Sequence, residues 1–216
     1  MQIDPATTRR FLLAGALIVG AGAGIAIAIA LSRPSASPAA GPPAPMGPNE
    51  VWRTGARRAA DFHLRDQHGA AISLGMLRGR PTVVTFLDPV CRNLCPVEAR
   101  TLGAVVRRLG SRAPNVVAVS VNPGADTAAN FRSDAREWNL PPAWRWATGP
   151  RAALARVWRG YGVAVEVQTK RIAGVTVHEV AHTEEAYIID ANGFQRALYL
   201  FPFRAGDVER TIRSLR

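Results

Sequence analysis

The stretch Thr82-Val83-Val84-Thr85-Phe86-Leu87-Asp88-Pro89-Val90-Cys91-Arg92-Asn93-Leu94-Cys95-Pro96 decides the fold. Thr82 to Leu87 is a short apolar run bounded by Arg80-Pro81 and Asp88-Pro89, and it reads as a strand buried on both faces. Pro96 then sits near the first turn of a helix, where its missing N–H costs nothing. Val97, Leu102, Val105, Val106 and Leu109 give that helix an apolar face and carry it to about Leu109. The chain's two cysteines, Cys91 and Cys95, both fall at this strand-to-helix junction. With residues 92–98 helical, the two thiols lie one turn apart on one face. The positive end of the helix dipole and the unpaired backbone N–H groups there lower thiol pKa. Two such thiolates close into a disulfide or grip a soft metal, and the junction alone leaves both open.

Outward from the junction, Asp61 to Arg65, the turn Asp66-Gln67-His68-Gly69 and Ala71 to Leu74 read as a β-hairpin. Val116 to Val121 is a second near-continuous apolar strand, as a parallel sheet covered on both sides requires. Ala128 to Trp138 reads as a helix, as does Arg151 to Tyr161, with Leu154, Val157 and Trp158 spaced for burial. Ala186 to Ile189 and Arg196 to Leu200 flank the turn Asp190-Ala191-Asn192-Gly193, and Asp207 to Leu215 closes with a short helix. The order is α/β: an N-terminal β-hairpin extension, then a central mixed sheet flanked by helices, which is a thioredoxin-like layout. It puts the cysteine junction at the sheet edge where ligands bind in such folds.

The N-terminal quarter points to export. Phe11 to Leu31 is an uninterrupted uncharged run of 21 residues, long enough as a helix to cross a hydrocarbon core, and Arg9 and Arg10 precede it. The positive-inside bias keeps residues 1–10 cytoplasmic, makes 11–31 a transmembrane anchor or signal, and exports the rest to a periplasmic or cell-surface space. A cleaved signal, including a twin-arginine one around Thr8-Arg9-Arg10-Phe11-Leu12-Leu13, competes with an anchor, but the run exceeds the usual h-region of about 7–15 residues. Residues 32–50 are rich in Pro, Ala, Ser and Gly and read as an extended tether, leaving 51–216 as the functional domain. In an oxidising compartment two free thiols ordinarily become a disulfide, so something must reduce or occupy them.

The formal charge is +11, and 26 of the 27 basic residues are arginines, Lys170 being the exception. The arginines are dispersed and no nucleic-acid motif accompanies them, so nucleic acid is not an expected partner. A solvated basic surface is the plain reading, with an anionic membrane surface or an acidic protein as the functional ones.

Three residues separate Cys91 from Cys95, where the ordinary thioredoxin-type redox motif has two. The stretch Val175 to Ile189, which faces the cysteines in this layout, has no proline but contains His178 and His182. The whole of Thr85-Phe86-Leu87-Asp88-Pro89-Val90-Cys91-Arg92-Asn93-Leu94-Cys95-Pro96-Val97-Glu98-Ala99, with Ala181-His182-Thr183, Tyr187-Ile188-Ile189-Asp190 and Gly193, resembles the Sco/SenC proteins, copper proteins of cytochrome oxidase assembly. The likeness spans about residues 51–213 and includes Trp158, Tyr161-Gly162-Val163 and Val119-Ser120-Val121-Asn122-Pro123. It implies that Cys91, Cys95 and His182 bind copper. Arg92 and Ala181 depart from it, since the family commonly has Pro and Asp there, and Asn122-Pro123-Gly124-Ala125-Asp126-Thr127-Ala128 replaces its Asp-Pro-x-x-Asp-Thr-Pro.

Two thiolates and an imidazole form a soft three-donor set suited to Cu(I), also able to hold Cu(II), with an open side for handing the metal on. His178 could complete a Cys₂His₂ zinc set. In an extended segment, however, it stands about 13 Å from His182. The resemblance implies a membrane-tethered metallochaperone serving the copper-centre subunit of a terminal oxidase, with a copper donor protein or thiol reductase as further partners. The alternative is a thiol–disulfide oxidoreductase in which the same cysteines keep partner thiols reduced, Cys91 attacking. Peroxidase chemistry is disfavoured by Asp88, where a Thr is usual. A purely structural disulfide closes too short a loop to stabilise much. His63 and His68 belong to the first hairpin and read as turn or surface residues. Asp88 and Glu98 read as solvated carboxylates beside the thiols, and Glu179, Glu184 and Glu185 as a charged face or an attraction for a copper-loaded donor.

Overall fold

Thr82 to Leu87 forms a fully buried strand, β4, because alternate residues meet hydrophobic layers on opposite faces of the sheet. Val83 and Leu87 point into a layer built with the helix Cys95–Leu109, α1, while Val84 and Phe86 point into the layer that holds Leu154, Val157 and Trp158. The same alternation divides Val116 and Ala118 from Val117 and Val119 in the next strand, β5 (Asn115–Ser120), which runs parallel to β4.

The computed structural model describes residues 47–215, and for residues 172 and 175–178 it describes the backbone. The expected segments 1–10 and 11–31 and nearly all of the tether lie outside the described residues. Among the described residues no helix is long and apolar enough to cross a membrane.

The remaining strands are β1 (Glu50–Val51), β2 (His63–Asp66), β3 (Ala71–Ser73), β6 (Trp144–Thr148), β7 (Val165–Ile172), β8 (Val175–His182), β9 (Glu185–Ile189) and β10 (Gln195–Leu200). The other helices are α2 (Ala128–Glu137), α3 (Arg151–Tyr161) and α4 (Ala205–Arg213). Eight strands form one mixed sheet in the order β1-β10-β9-β4-β5-β6-β2-β3, with β4, β5 and β6 parallel and β9 antiparallel to β4. The expected N-terminal hairpin, the βαβα core and the closing hairpin and helix are all present. This is the thioredoxin-like α/β fold.

Two features go beyond the sequence reading. Trp144-Arg145-Trp146-Ala147-Thr148 is a strand that extends the parallel set, with both tryptophan side chains buried. The residues before β9 are not a loop. β7 and β8 pair antiparallel from Val165↔His182 to Ile172↔Val175 as a two-stranded ribbon. It turns through Ala173 and Gly174, both at positive φ, the backbone that a two-residue turn of the I′ kind demands. At about 3.4 Å per residue the ribbon reaches some 27 Å, and His182 is the residue that brings it back to the sheet.

Candidate metal centre

β4 ends at Leu87, and the loop after it is closed by its own polar groups. Asp88 Oδ1 accepts from Val90 N (2.9 Å) and Asn122 Nδ2 (3.1 Å), while Asp88 O accepts from Cys91 N (3.1 Å). Arg92 donates to the carbonyls of Cys91 (3.0 Å) and Pro89 (3.4 Å). The first helical acceptor is Leu94 O, which takes the N–H groups of Val97 and Glu98 (both 2.9 Å). Helix α1 therefore starts at Cys95, not at residue 92, and Cys91 sits in the loop. The turn at Asp88 uses the bonds a longer helix would have needed. The thiols remain neighbours all the same.

Cys95 is buried and Cys91 half-buried, and neither is in a disulfide. A hydrogen bond from Cys95 holds the Cys91 thiol down to about 6, with backbone N–H groups adding to this and burial opposing it. The same bond, burial and the neighbouring negative charge push Cys95 well up. The pair thus loses its first proton from the outward sulfur and keeps the second on the inward one.

His182 approaches Cys95 from the ribbon. Its Nε2 lies 3.6 Å from Cys95 Sγ, and its Nδ1 lies 2.9 Å from Thr183 O. A carbonyl only accepts, so Nδ1 carries a proton, and the neutral imidazole in this orientation presents its Nε2 lone pair to the sulfur. That is the tautomer a metal-binding imidazole needs. Thr183 is held against the residue that precedes the ribbon's first strand, its N–H donating to Ala164 O (3.2 Å).

The carboxylates behave differently from the sequence reading. Asp88 and Glu98 are buried rather than solvated. Glu98 sits on the core face of α1, and burial raises its carboxyl to about 8. Its Oε1 is 2.5 Å from Thr85 Oγ1, which is also 3.1 Å from Glu185 O. One hydroxyl proton cannot serve both acceptors, so the protonated Glu98 donates to Thr85 and Thr85 donates to the carbonyl. Glu179, Glu184 and Glu185 do not share a face: Glu179 is exposed and paired with Lys170, Glu185 is buried, and Glu184 turns towards the sulfurs. Glu184 Oε1 is 3.8 Å from Cys95 Sγ, and one oxygen lies within 4.8 Å of both sulfurs.

Of the remaining histidines, His63 and His68 are on the first hairpin, His63 being exposed as expected. The His178 side chain lies outside the described residues. Ala181 pairs with Glu166 on the ribbon and points to solvent. Arg92 is a structural residue: besides bracing the loop it stands 3.8 Å from the fully buried Asp134 of α2.

Cys91, Cys95 and Glu184 offer donor atoms within 4.8 Å of one another, whereas His182, which approaches Cys95, lies outside that group. Donors at about 2.0–2.3 Å from a first-row ion stand about 3.3–3.8 Å apart at the edges of a tetrahedron. The 3.6 Å and 3.8 Å contacts at Cys95 Sγ are of that size.

A model of the SCO1/SenC family matches residues 52–215. The chain is similar in fold to ScoI of Bradyrhizobium japonicum, a copper-bound structure, at 22% identity and TM-score 0.64, covering 74% of this chain and 99% of that one. Copper-bound ScoI of Arabidopsis thaliana gives 20% and 0.63, over 72% and 98% of the two chains. BsSco, described as a member of the Sco family of cytochrome c oxidase assembly proteins and as having a disulfide switch, gives 17% and 0.58, over 77% and 98%. No curated protein matches the chain in sequence.

Proposed function

The chain belongs to the SCO1/SenC family, and from that membership we propose that it is a membrane-tethered, extracytoplasmic copper metallochaperone. Copper is its cargo, taken by Cys91, Cys95 and His182 and passed to the copper-centre subunit of a terminal oxidase. The observation that carries this reading is the 3.6 Å approach of His182 Nε2 to Cys95 Sγ, with the imidazole tautomer fixed by Thr183. The two residues stand 87 positions apart in the sequence.

The chain's own groups suit acquisition and release. Cys91 is the half-buried thiolate that first meets an incoming ion, while buried Cys95 and half-buried His182 hold it. Val90, Leu94 and Val97 are exposed around the thiol and offer a partner an apolar rim. The chain also enters the domain at this end of the sheet. Asn49 Oδ1 accepts from Leu200 N (2.8 Å), and Leu200 pairs with Glu185.

Metal analysis of reduced protein loaded with Cu(I) tests the reading. We expect one copper per chain in the wild type, and strong loss of retention in Cys91→Ser, Cys95→Ser and His182→Ala. Equal retention by His182→Ala and the wild type sinks it.

Thiol–disulfide exchange is a second reading, favoured by the asymmetry of the pair: a low-pKa outward Cys91 attacks and a protonated Cys95 resolves. The roles are compatible, because metal loading through two thiolates requires them reduced. A mixed disulfide trapped on Cys91 in the Cys95→Ser variant, formed equally well without His182, supports exchange as an activity of its own.

A further inference from the structure

Glu184 follows His182 by two residues and occupies the short link between the ribbon and β9. Its place is fixed by backbone bonds, for its carbonyl accepts from Phe201 N (2.9 Å) and Glu185 is already paired in the sheet. The side chain does not turn to solvent. Oε1 is 3.8 Å from Cys95 Sγ, Oε2 is buried without a hydrogen-bond partner, and one oxygen lies within 4.8 Å of both sulfurs. Among the described residues Glu184 has no ion pair. A carboxylate in a pocket with a thiolate and no cationic side chain is a poor arrangement until a metal ion comes between them.

We propose that Glu184 is a fourth, oxygen ligand to the oxidised cargo, completing a set of two sulfurs, one nitrogen and one oxygen around Cu(II) while Cu(I) is left to Cys91, Cys95 and His182. The inference rests on the metal-site reading above and adds a residue to it. Cu(I) is served by soft thiolates and imidazole, whereas Cu(II) accepts nitrogen and oxygen donors and a fourth ligand. A hard carboxylate poised at the edge of a soft site therefore discriminates between the two oxidation states. The 3.8 Å separation from Cys95 Sγ is already a ligand-to-ligand distance and one Glu184 oxygen is within 4.8 Å of both sulfurs, so it is His182, outside that group of donors, that has to close in around the ion. The consequence is a carrier that retains Cu(II) with four donors and offers Cu(I) through an open side.

The isosteric, uncharged Glu184→Gln tests this by copper competition titrations in both oxidation states. The expected result is a fall in Cu(II) affinity of about 10–100-fold with Cu(I) affinity changed by less than about threefold. Glu184→His gives a positive sign, because exchanging the oxygen donor for nitrogen adds a second imidazole coupling to the pulsed EPR spectrum of the Cu(II) form. Wild-type Cu(II) affinity in Glu184→Gln, together with a single imidazole coupling in Glu184→His, overturns the proposal. If His182→Ala loses copper while both Glu184 variants behave as wild type, only the role of Glu184 falls. If the wild type binds neither oxidation state, the metal-site reading fails and this inference with it.

Discussion

The Arg92 guanidinium stands 3.8 Å from the Asp134 carboxylate and ties the cysteine loop to α2. Asp134 is fully buried, neither of its oxygens has a hydrogen-bond partner among the described residues, and burial raises it to about 7 although Arg92 pulls the other way. Arg92 is itself 54% exposed, which moderates the interaction.

Removing Arg92 loses its bonds to the Cys91 and Pro89 carbonyls at any pH, and should cost more where Asp134 is ionised. The folded-state pKa of Asp134 lies above its unfolded value, so its ionisation opposes folding, and losing Arg92 raises it further. Arg92→Ala is expected to cost about 1 kcal/mol more at pH 8 than at pH 5. The pH dependence should vanish in an Asp134→Asn background. Urea unfolding of the four proteins at the two pH values is the check, and an equal cost at both would remove the ion pair as the cause.

Glu98 gives the larger pH effect. Its carboxyl is raised from 4.5 to about 8, so the unfolded chain loses its proton first as pH rises. Stability attributable to this group therefore falls between about pH 4.5 and 8 and levels off above. Glu98→Gln keeps the shape and the partner for Thr85 but cannot ionise. It is expected to match the wild type near pH 4.5 and exceed it at pH 8.5 by on the order of a few kcal/mol. Parallel stability–pH curves for the two proteins would contradict the assignment.

How much of this was legible beforehand follows from what each residue's neighbours had to be. Strands β4 and β5 are apolar throughout because both faces are covered, and Asp190-Ala191-Asn192-Gly193 punctuates the closing hairpin, so pattern alone finds them. β6 is broken by Arg145 and preceded by Pro141-Pro142, and it exists through pairing with β5, a distant partner. The ribbon β7–β8 pairs with itself and stands apart from the main sheet, so no continuous apolar run announces it, although Val165-Glu166-Val167 does alternate. Cys91, Cys95 and His182 were singled out through the resemblance, and the structure sets Cys95 beside each of the other two. The burial of Glu98 had a readable signal, for it occupies the same helical stripe as Cys95, Leu102, Val105 and Leu109. Glu184 had none beyond its place two residues after His182. Arg92 became intelligible only when α2 was seen to bring Asp134 beside it.

The reactivity of the thiols should be unequal. In reduced, metal-free protein, iodoacetamide is expected to label Cys91 first, with an alkylation midpoint near pH 6, and to reach buried Cys95 slowly. Cys95→Ala removes the hydrogen bond that stabilises the Cys91 thiolate and should move the midpoint up to roughly 8–9. The midpoint is the proper readout, because a thiolate of lower pKa is also less nucleophilic and rates at one pH partly cancel. Identical midpoints would show that Cys95 does not set the reactivity of Cys91.

X-ray absorption at the copper edge of the Cu(I)-loaded protein bears most directly on the metal centre. Two sulfur scatterers and one imidazole nitrogen are expected, with one sulfur lost in Cys91→Ser and the imidazole signal lost in His182→Ala. A wild-type spectrum lacking imidazole, or one unchanged by His182→Ala, would contradict the assignment of Cys91, Cys95 and His182 as the copper ligands.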